Sequence, residues 1–194
     1  MRNARRFITS GLRAAIAILF AALAGPAPSR AADLPFIVRV LPSGHGIAIA
    51  GPITTGLAEA FRAALAQAPG AHLVRLESSG GTLDVALDLY AAIRARGMDT
   101  AVQGECQSAC TVAFMAGTRR FSAPRAKLGF HRAAGEGRPE FPVADYIIRG
   151  LYVQSGMAEW FADRVMTTPH ETMWRPSLDE LRRAGVVTDI AIPP

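Results

Sequence analysis

The residues best suited to covalent chemistry stand together in Glu105-Cys106-Gln107-Ser108-Ala109-Cys110-Thr111, a serine bracketed by two cysteines. An extended, apolar-leaning run, Thr100 to Gln103, leads in. A run fit for a buried helix, Val112 to Ala116, leads out to Gly117. A serine at such a strand-to-helix turn holds its hydroxyl near unpaired backbone N–H groups and the positive end of the helix dipole. That environment favours an attacking serine and its oxyanion. It equally suits a serine that only caps the helix. On this stretch alone both roles are open for Ser108.

Cys106 and Cys110 are the chain's only cysteines. Their i, i+4 spacing sets the Cα atoms about one helical turn apart, within the reach of a disulfide. A bridge would close a short loop, add little global stability, and fix the turn that holds Ser108. Free buried thiols are the alternative. A cysteine nucleophile would require an unbridged pair, and a zinc site would need about two further ligands that the sequence does not supply.

Positioning falls to the flanking elements. Phe36 to Leu41 and His45 to Ala50 read as strands joined through Pro42-Ser43-Gly44, a hairpin pattern. Thr54 or Thr55 can cap a helix running to Ala68, with Leu57, Phe61, Ala64 and Leu65 on one face. His72 to Glu77 is a further strand. Ser78-Ser79-Gly80-Gly81 follows it, then a helix from Thr82 to Arg96 with Leu83, Ala86, Leu87, Tyr90 and Ile93 on its buried side. Gly97 suits the position after that helix. Strand, helix and strand in alternation imply parallel strands with right-handed crossovers, and ligands gather at the C-terminal strand ends in such sheets. Gly80-Gly81 and Ser108 both lie at such ends. Adjacent glycines let backbone N–H groups approach a ligand closely. The pair has no G-x-G-x-x-G context and no following lysine, so neither a dinucleotide nor a P-loop reading has support.

Arg119 to Ser122 and Lys127 to Phe130 read as short strands, and His131 stands directly after the second. His45 and His72 have no matching partner and read as structural or surface residues. Arg132 to Pro142, with two glycines and two prolines, is a candidate flap. Helices are expected over Val143 to Gln154 and Met157 to Met166, then a loop from Thr167 to Thr172 and an apolar Met173-Trp174. Ser177, with Glu180 as its capping-box partner, can start a last helix through Ala184, and Val186-Val187 returns as an edge strand.

The net charge of +5 does not point to nucleic acid. Residues 1–31 hold five of the 21 basic residues and no acid, which leaves 16 basic against 16 acidic in the remainder. Arg2, Arg5 and Arg6, the apolar run Ala14 to Ala24, and Ser29 and Ala31 at a small-x-small site read as a secretory signal over 1–31. An uncleaved anchor is the alternative. One α/β domain is expected over 32–194, in an oxidising periplasmic or extracellular compartment.

Taken together, these segments resemble the ClpP/crotonase superfamily, and within it the serine-protease branch of the Clp protease proteolytic subunit and signal peptide peptidase A. Leu76 to Gly81 resembles that family's Ser-Pro-Gly-Gly loop, with Ser79 in place of the proline. Ser108-Ala109 resembles its nucleophile turn. Arg120 to Pro124 and Gly129-Phe130-His131 resemble the segment that delivers its histidine. Leu178 to Asp189 resembles its C-terminal helix, Gly-x-Val turn and Asp. The similarity spans about residues 36–190 and is nearest to secreted members with Cys-x-Ser-Ala-Cys at the nucleophile.

The resemblance implies a repeated ββα superhelix with a parallel central sheet, Ser108 as nucleophile and His131 as base. It implies an oxyanion hole of the Gly81 and Ala109 N–H groups, with Gly80 allowing close approach. The family's acid falls on Met173 in a gapless match, so Glu171 becomes the candidate third member and Asp163 a poorer one. The expected protein is a secreted or periplasmic serine hydrolase, a peptidase acting on peptides or unfolded segments. It would need no cofactor or metal, bind no nucleic acid, meet the membrane only through its signal segment, and form a homo-oligomer. The alternatives are a catalytically inactive scaffold of the same fold and a crotonase-type acyl-thioester enzyme, which would need coenzyme A.

Overall fold

A computed structural model describes residues 36–134 and 142–190. The expected signal segment and most of the expected flap, residues 135–141, lie outside the described residues.

The chain builds one six-stranded sheet flanked by helices. β1 (Ile37–Val40) and β2 (Gly46–Ala50) form the expected antiparallel hairpin. Gly44, at φ 73°, makes the tight turn between them. From β2 the sheet is parallel: β2 pairs with β3 (Leu73–Ser78), and β3 with β4 (Asp99–Gln107). β4 is long enough to take two partners in succession. Its first half pairs with β5 (Arg120–Ser122) and its second half with β6 (Lys127–Gly129). The connections are α1 (Leu57–Gln67), α2 (Leu83–Ala95) and α3 (Ala109–Met115), followed by α4 (Pro142–Gln154), α5 (Glu159–Thr167) and α6 (Leu178–Arg183). Strands alternating with crossover helices must bury both faces of the sheet, which explains the apolar content of β2 and β3.

α1 buries Leu57, Phe61, Ala64 and Leu65 as its periodicity predicts. Its cap is different from the expectation. Gly56, at φ 89°, precedes the first turn, and no side chain caps it, so neither Thr54 nor Thr55 serves. α2 buries Ala86, Leu89 and Ile93 in full, whereas Leu83, Leu87 and Tyr90 are half-buried. α6 carries the expected capping box of Ser177 and Glu180. Val186-Val187 is not a strand. That segment is instead tied down by the buried Arg120, whose guanidinium donates to the carbonyls of Gly117, Gly185 and Val186. Asp189, not Val186, pairs with β5, through Ser122 N–H to the Asp189 carbonyl.

Among the described residues no helix is long and apolar enough to cross a membrane.

Candidate active site

Three strand ends meet where β3, β4 and β6 finish. Cys106 of β4 pairs with Ser78 of β3 on one side and with Leu128 of β6 on the other. Chain segments about thirty and twenty residues from Ser108 in sequence are thereby brought beside it by sheet register alone. The Ser108 N–H donates to the Gly129 carbonyl at 2.9 Å, two residues before His131.

Ser108 sits at φ 53°, ψ −126°, the only non-glycine residue with positive φ among the described residues. Such a conformation costs about 1–3 kcal/mol and persists only where its surroundings enforce it. Ser108 precedes α3 but makes no capping hydrogen bond through its side chain, so the capping role does not account for it. Two devices hold the turn. The first is the Cys106–Cys110 disulfide, which closes a loop around Ser108; both sulfur-bearing residues are fully buried. The second is a buried relay: Tyr152 of α4 hydrogen-bonds the Thr111 hydroxyl at 2.7 Å, and Thr111 donates to the Ser108 carbonyl at 2.7 Å. With its one proton given to that carbonyl, Thr111 must accept from Tyr152.

Gly80 and Gly81 are both required by close approach. A Cβ on Gly80 would lie 2.7 Å from the Gln107 carbonyl and 2.8 Å from the Ser108 Cβ. One on Gly81 would collide with the Ile53 carbonyl. The loop is shaped by the buried Ser78 hydroxyl, which accepts from the Gly80 N–H, and by Ile53, which donates to the Gly80 carbonyl and accepts from Thr82. Among the described residues no acceptor takes the N–H of Gly81 or of Ala109. Gly80→Ala is accordingly expected to push the Ser108 turn out of line. Misplacement of a reacting group by about 1 Å costs roughly 100-fold in rate, which is the expected loss of Ser108 reactivity, with circular dichroism showing the fold retained.

His131 follows Phe130 at the end of β6. Phe130 is buried against Phe161, edge-on with ring centres 5.2 Å apart, and exchanges two backbone hydrogen bonds with Trp174. On the other side Arg132 donates to Asp145 of α4 at 2.9 Å, and the Asp145 carboxylate also accepts the Ala133 N–H. His131 is thus presented from a rigid segment. Its Nδ1 is buried and has no hydrogen-bond partner. Burial lowers its pKa below the usual histidine value; the nearby His170 lowers it further, and Glu171 partly offsets both.

Gly81, Ser108, Ala109 and His131 all border one cavity of about 640 Å³. Its apolar wall comes from Leu83 and Leu87 of α2, Val112 of α3, and Val143, Ile147 and Ile148 of α4. The half-buried leucines of α2 therefore pack against the edge of the core and form cavity wall at the same time.

None of the acid candidates hydrogen-bonds the buried Nδ1 of His131. Glu171 is exposed and forms no hydrogen bond to His131. Met173 packs on Gly129. Asp163 is engaged by Arg149 at 2.7 Å. The residue whose ring meets His131 is His170, with centres 4.6 Å apart. Sequence reasoning missed His170, Tyr152 and Asp145; Thr111, three residues after Ser108, was the one supporting residue with a local signal. Among the described residues no group of three or more His, Cys, Asp or Glu side chains is placed to hold a metal ion.

No family model matches this chain, and no curated protein sequence matches it. Solved structures do. ClpP1 from Listeria monocytogenes superposes with a TM-score of 0.65 at 18% identity, covering 78% of this chain and 94% of that one. An asparagine-to-aspartate mutant of ClpP1 from the same organism gives 0.61 at 19% identity, covering 78% and 93%. The chain therefore has the ClpP-like α/β fold, with a central parallel sheet and flanking helices.

Proposed function

We propose that this protein is a serine hydrolase of the ClpP-like serine-protease branch, a peptidase acting on peptides or unfolded segments. The observation that carries the reading is the strained Ser108 at the end of β4, bordering the same cavity as His131 at the end of the adjacent β6. The Ser108 Oγ would attack the scissile carbonyl as His131 takes its proton. The unclaimed Gly81 and Ala109 N–H groups would stabilise the oxyanion. Collapse of that intermediate breaks the C–N bond, and His131 returns the proton to the leaving amine. Water then repeats the sequence on the acyl-enzyme. The apolar wall suits a substrate side chain without charge.

The arginine-led N-terminal segment supports export, and the disulfide suits an oxidising compartment. Assembly into a homo-oligomer is part of the same proposal. A second reading, a scaffold that has kept the fold and lost catalysis, is favoured by one observation, the unpartnered Nδ1 of His131.

The test is covalent. A fluorophosphonate probe is expected to label the purified protein, with the adduct mapping to Ser108; no labelling, or an adduct elsewhere, would favour the scaffold. The pH dependence is a second check. Imidazolium cannot accept a proton, so the labelling rate falls as pH drops through the His131 pKa. Because that pKa is lowered, the fall is expected below the ordinary value of about 6.5. A labelling rate independent of pH from about 4 to about 8 would remove His131 as the base.

A further inference from the structure

An imidazole that takes a serine's proton needs its second nitrogen fixed, because that bond sets the tautomer and aims the ring. In this chain the buried Nδ1 of His131 has no partner. The carboxylates considered are otherwise placed: Asp145 is held by Arg132 and the Ala133 N–H, Asp163 by Arg149, Glu171 is exposed, and Asp84 of α2, which borders the same cavity, is exposed.

We propose that His170 is the positioning residue for His131, its ring nitrogen accepting the Nδ1 proton in the role a carboxylate has in the Ser-His-Asp triad. This rests on the Ser108–His131 reading. The rings lie 4.6 Å apart at 57°, and the assignment requires the exposed His170 ring to turn so that one of its nitrogens comes within hydrogen-bonding distance of Nδ1. The loop that carries His170 is pinned across the His131 segment at both ends. Arg132 N–H donates to the Thr168 carbonyl at 3.0 Å, and Phe130 and Trp174 exchange bonds of 2.9 and 3.0 Å. Between those anchors Thr172 N–H closes back on the Pro169 carbonyl, leaving His170 and Glu171 as the two central residues of the turn. His170 is exposed to solvent while its ring lies against that of His131.

An imidazole partner orients the ring without the fixed negative charge that a carboxylate would set beside it. The charged and titratable groups around His131 are Arg132 on its own strand extension, Asp145 and Tyr152 from α4, Asp84 from α2 across the shared cavity, and His170 and Glu171 from the loop. Arg132 and Asp145 neutralise each other, so the loop residues decide the acid limb.

The experiment is the fluorophosphonate labelling rate of the full chain across pH, resolved into probe affinity and maximal rate. His170→Ala is expected to lower the maximal rate by about 100-fold with affinity unchanged, and to lose more than Glu171→Gln. His170→Asp is expected to restore the rate and move the acid limb upward by about one pH unit, because an adjacent anion favours the imidazolium. The recovered rate is the discriminating arm, because an adjacent anion moves the acid limb whatever role His170 has, whereas a purely structural role would not let Asp restore the rate lost in His170→Ala. His170→Ala labelling at the wild-type rate, or a larger loss in Glu171→Gln, overturns the assignment and leaves the Ser108–His131 reading standing. Equal labelling of Ser108→Ala overturns the underlying reading instead.

Discussion

Ser108→Gly is expected to abolish probe labelling and, at the same time, to make the protein more stable. The two effects have one cause. Ser108 is held at φ 53°, ψ −126°, where a Cβ is costly and glycine is not. Relief of about 1–3 kcal/mol of strain is set against the extra chain entropy that glycine loses on folding, about 0.5–1 kcal/mol. The net expectation is a stabilisation of about 1 kcal/mol, a rise in melting temperature of roughly 2–4 °C for a chain of this size. If Ser108 is the proposed nucleophile, its loss lowers catalysis by about 10⁶-fold, the scale seen when a triad serine is deleted from a protease. Thermal melts and labelling read the two arms separately. A destabilised, unlabelled variant would mean that the Ser108 backbone is relaxed in its native setting and that the turn carries no stored strain.

The second large effect lies away from the cavity. Arg120→Met is expected to cost about 3–5 kcal/mol, because it leaves three carbonyls without their donors in a buried site. Arg120 is 6% exposed, and its guanidinium is shared among Gly117, Gly185 and Val186 with no carboxylate partner. Burial lowers its pKa, yet the group stays charged. Methionine retains the length and apolar stem, so the loss reports the hydrogen bonds rather than a cavity. The expected fall in melting temperature is about 10 °C. Arg120→Lys is expected to recover little, since one ammonium does not reproduce a planar fork. Labelling of Ser108 at low temperature is expected to persist in both. A melting temperature within about 2 °C of the parent would show that the 185–189 segment is held by other contacts.

What could be read from the sequence depended on how local the cause was. The hairpin, the helices and the strand ends follow from periodicity and from glycine and proline placement, and the observed boundaries differ by a few residues at most. The disulfide was legible because only two cysteines exist and their spacing fits. The register that joins β4 to β6 was not visible in any one strand, but the order of the motifs carried it. The failures have non-local causes. Val186-Val187 has strand composition, yet Arg120 captures the backbone carbonyls of Gly185 and Val186 that strand pairing would use. Leu87 sits on the apolar stripe of α2, but a cavity wall and a core face have the same period. Thr54 and Thr55 are good caps in isolation, and the left-handed Gly56 makes them unnecessary. His170 was hidden most thoroughly, because its nearness to His131 depends on bonds between residues 130–132 and 168–174 that no local pattern announces.

α4 touches both halves of the proposed machinery. Asp145, in its first turn, anchors the stretch just after the imidazole, and Tyr152, near its far end, reaches through Thr111 to the carbonyl of the nucleophile. The two anchor points are seven residues apart on one rigid rod, about 10 Å. Tilting or sliding that rod would disturb base and nucleophile together. The mechanical consequence is coupling: a displacement of α4 would misalign the Ser108 turn and the His131 segment together rather than one at a time.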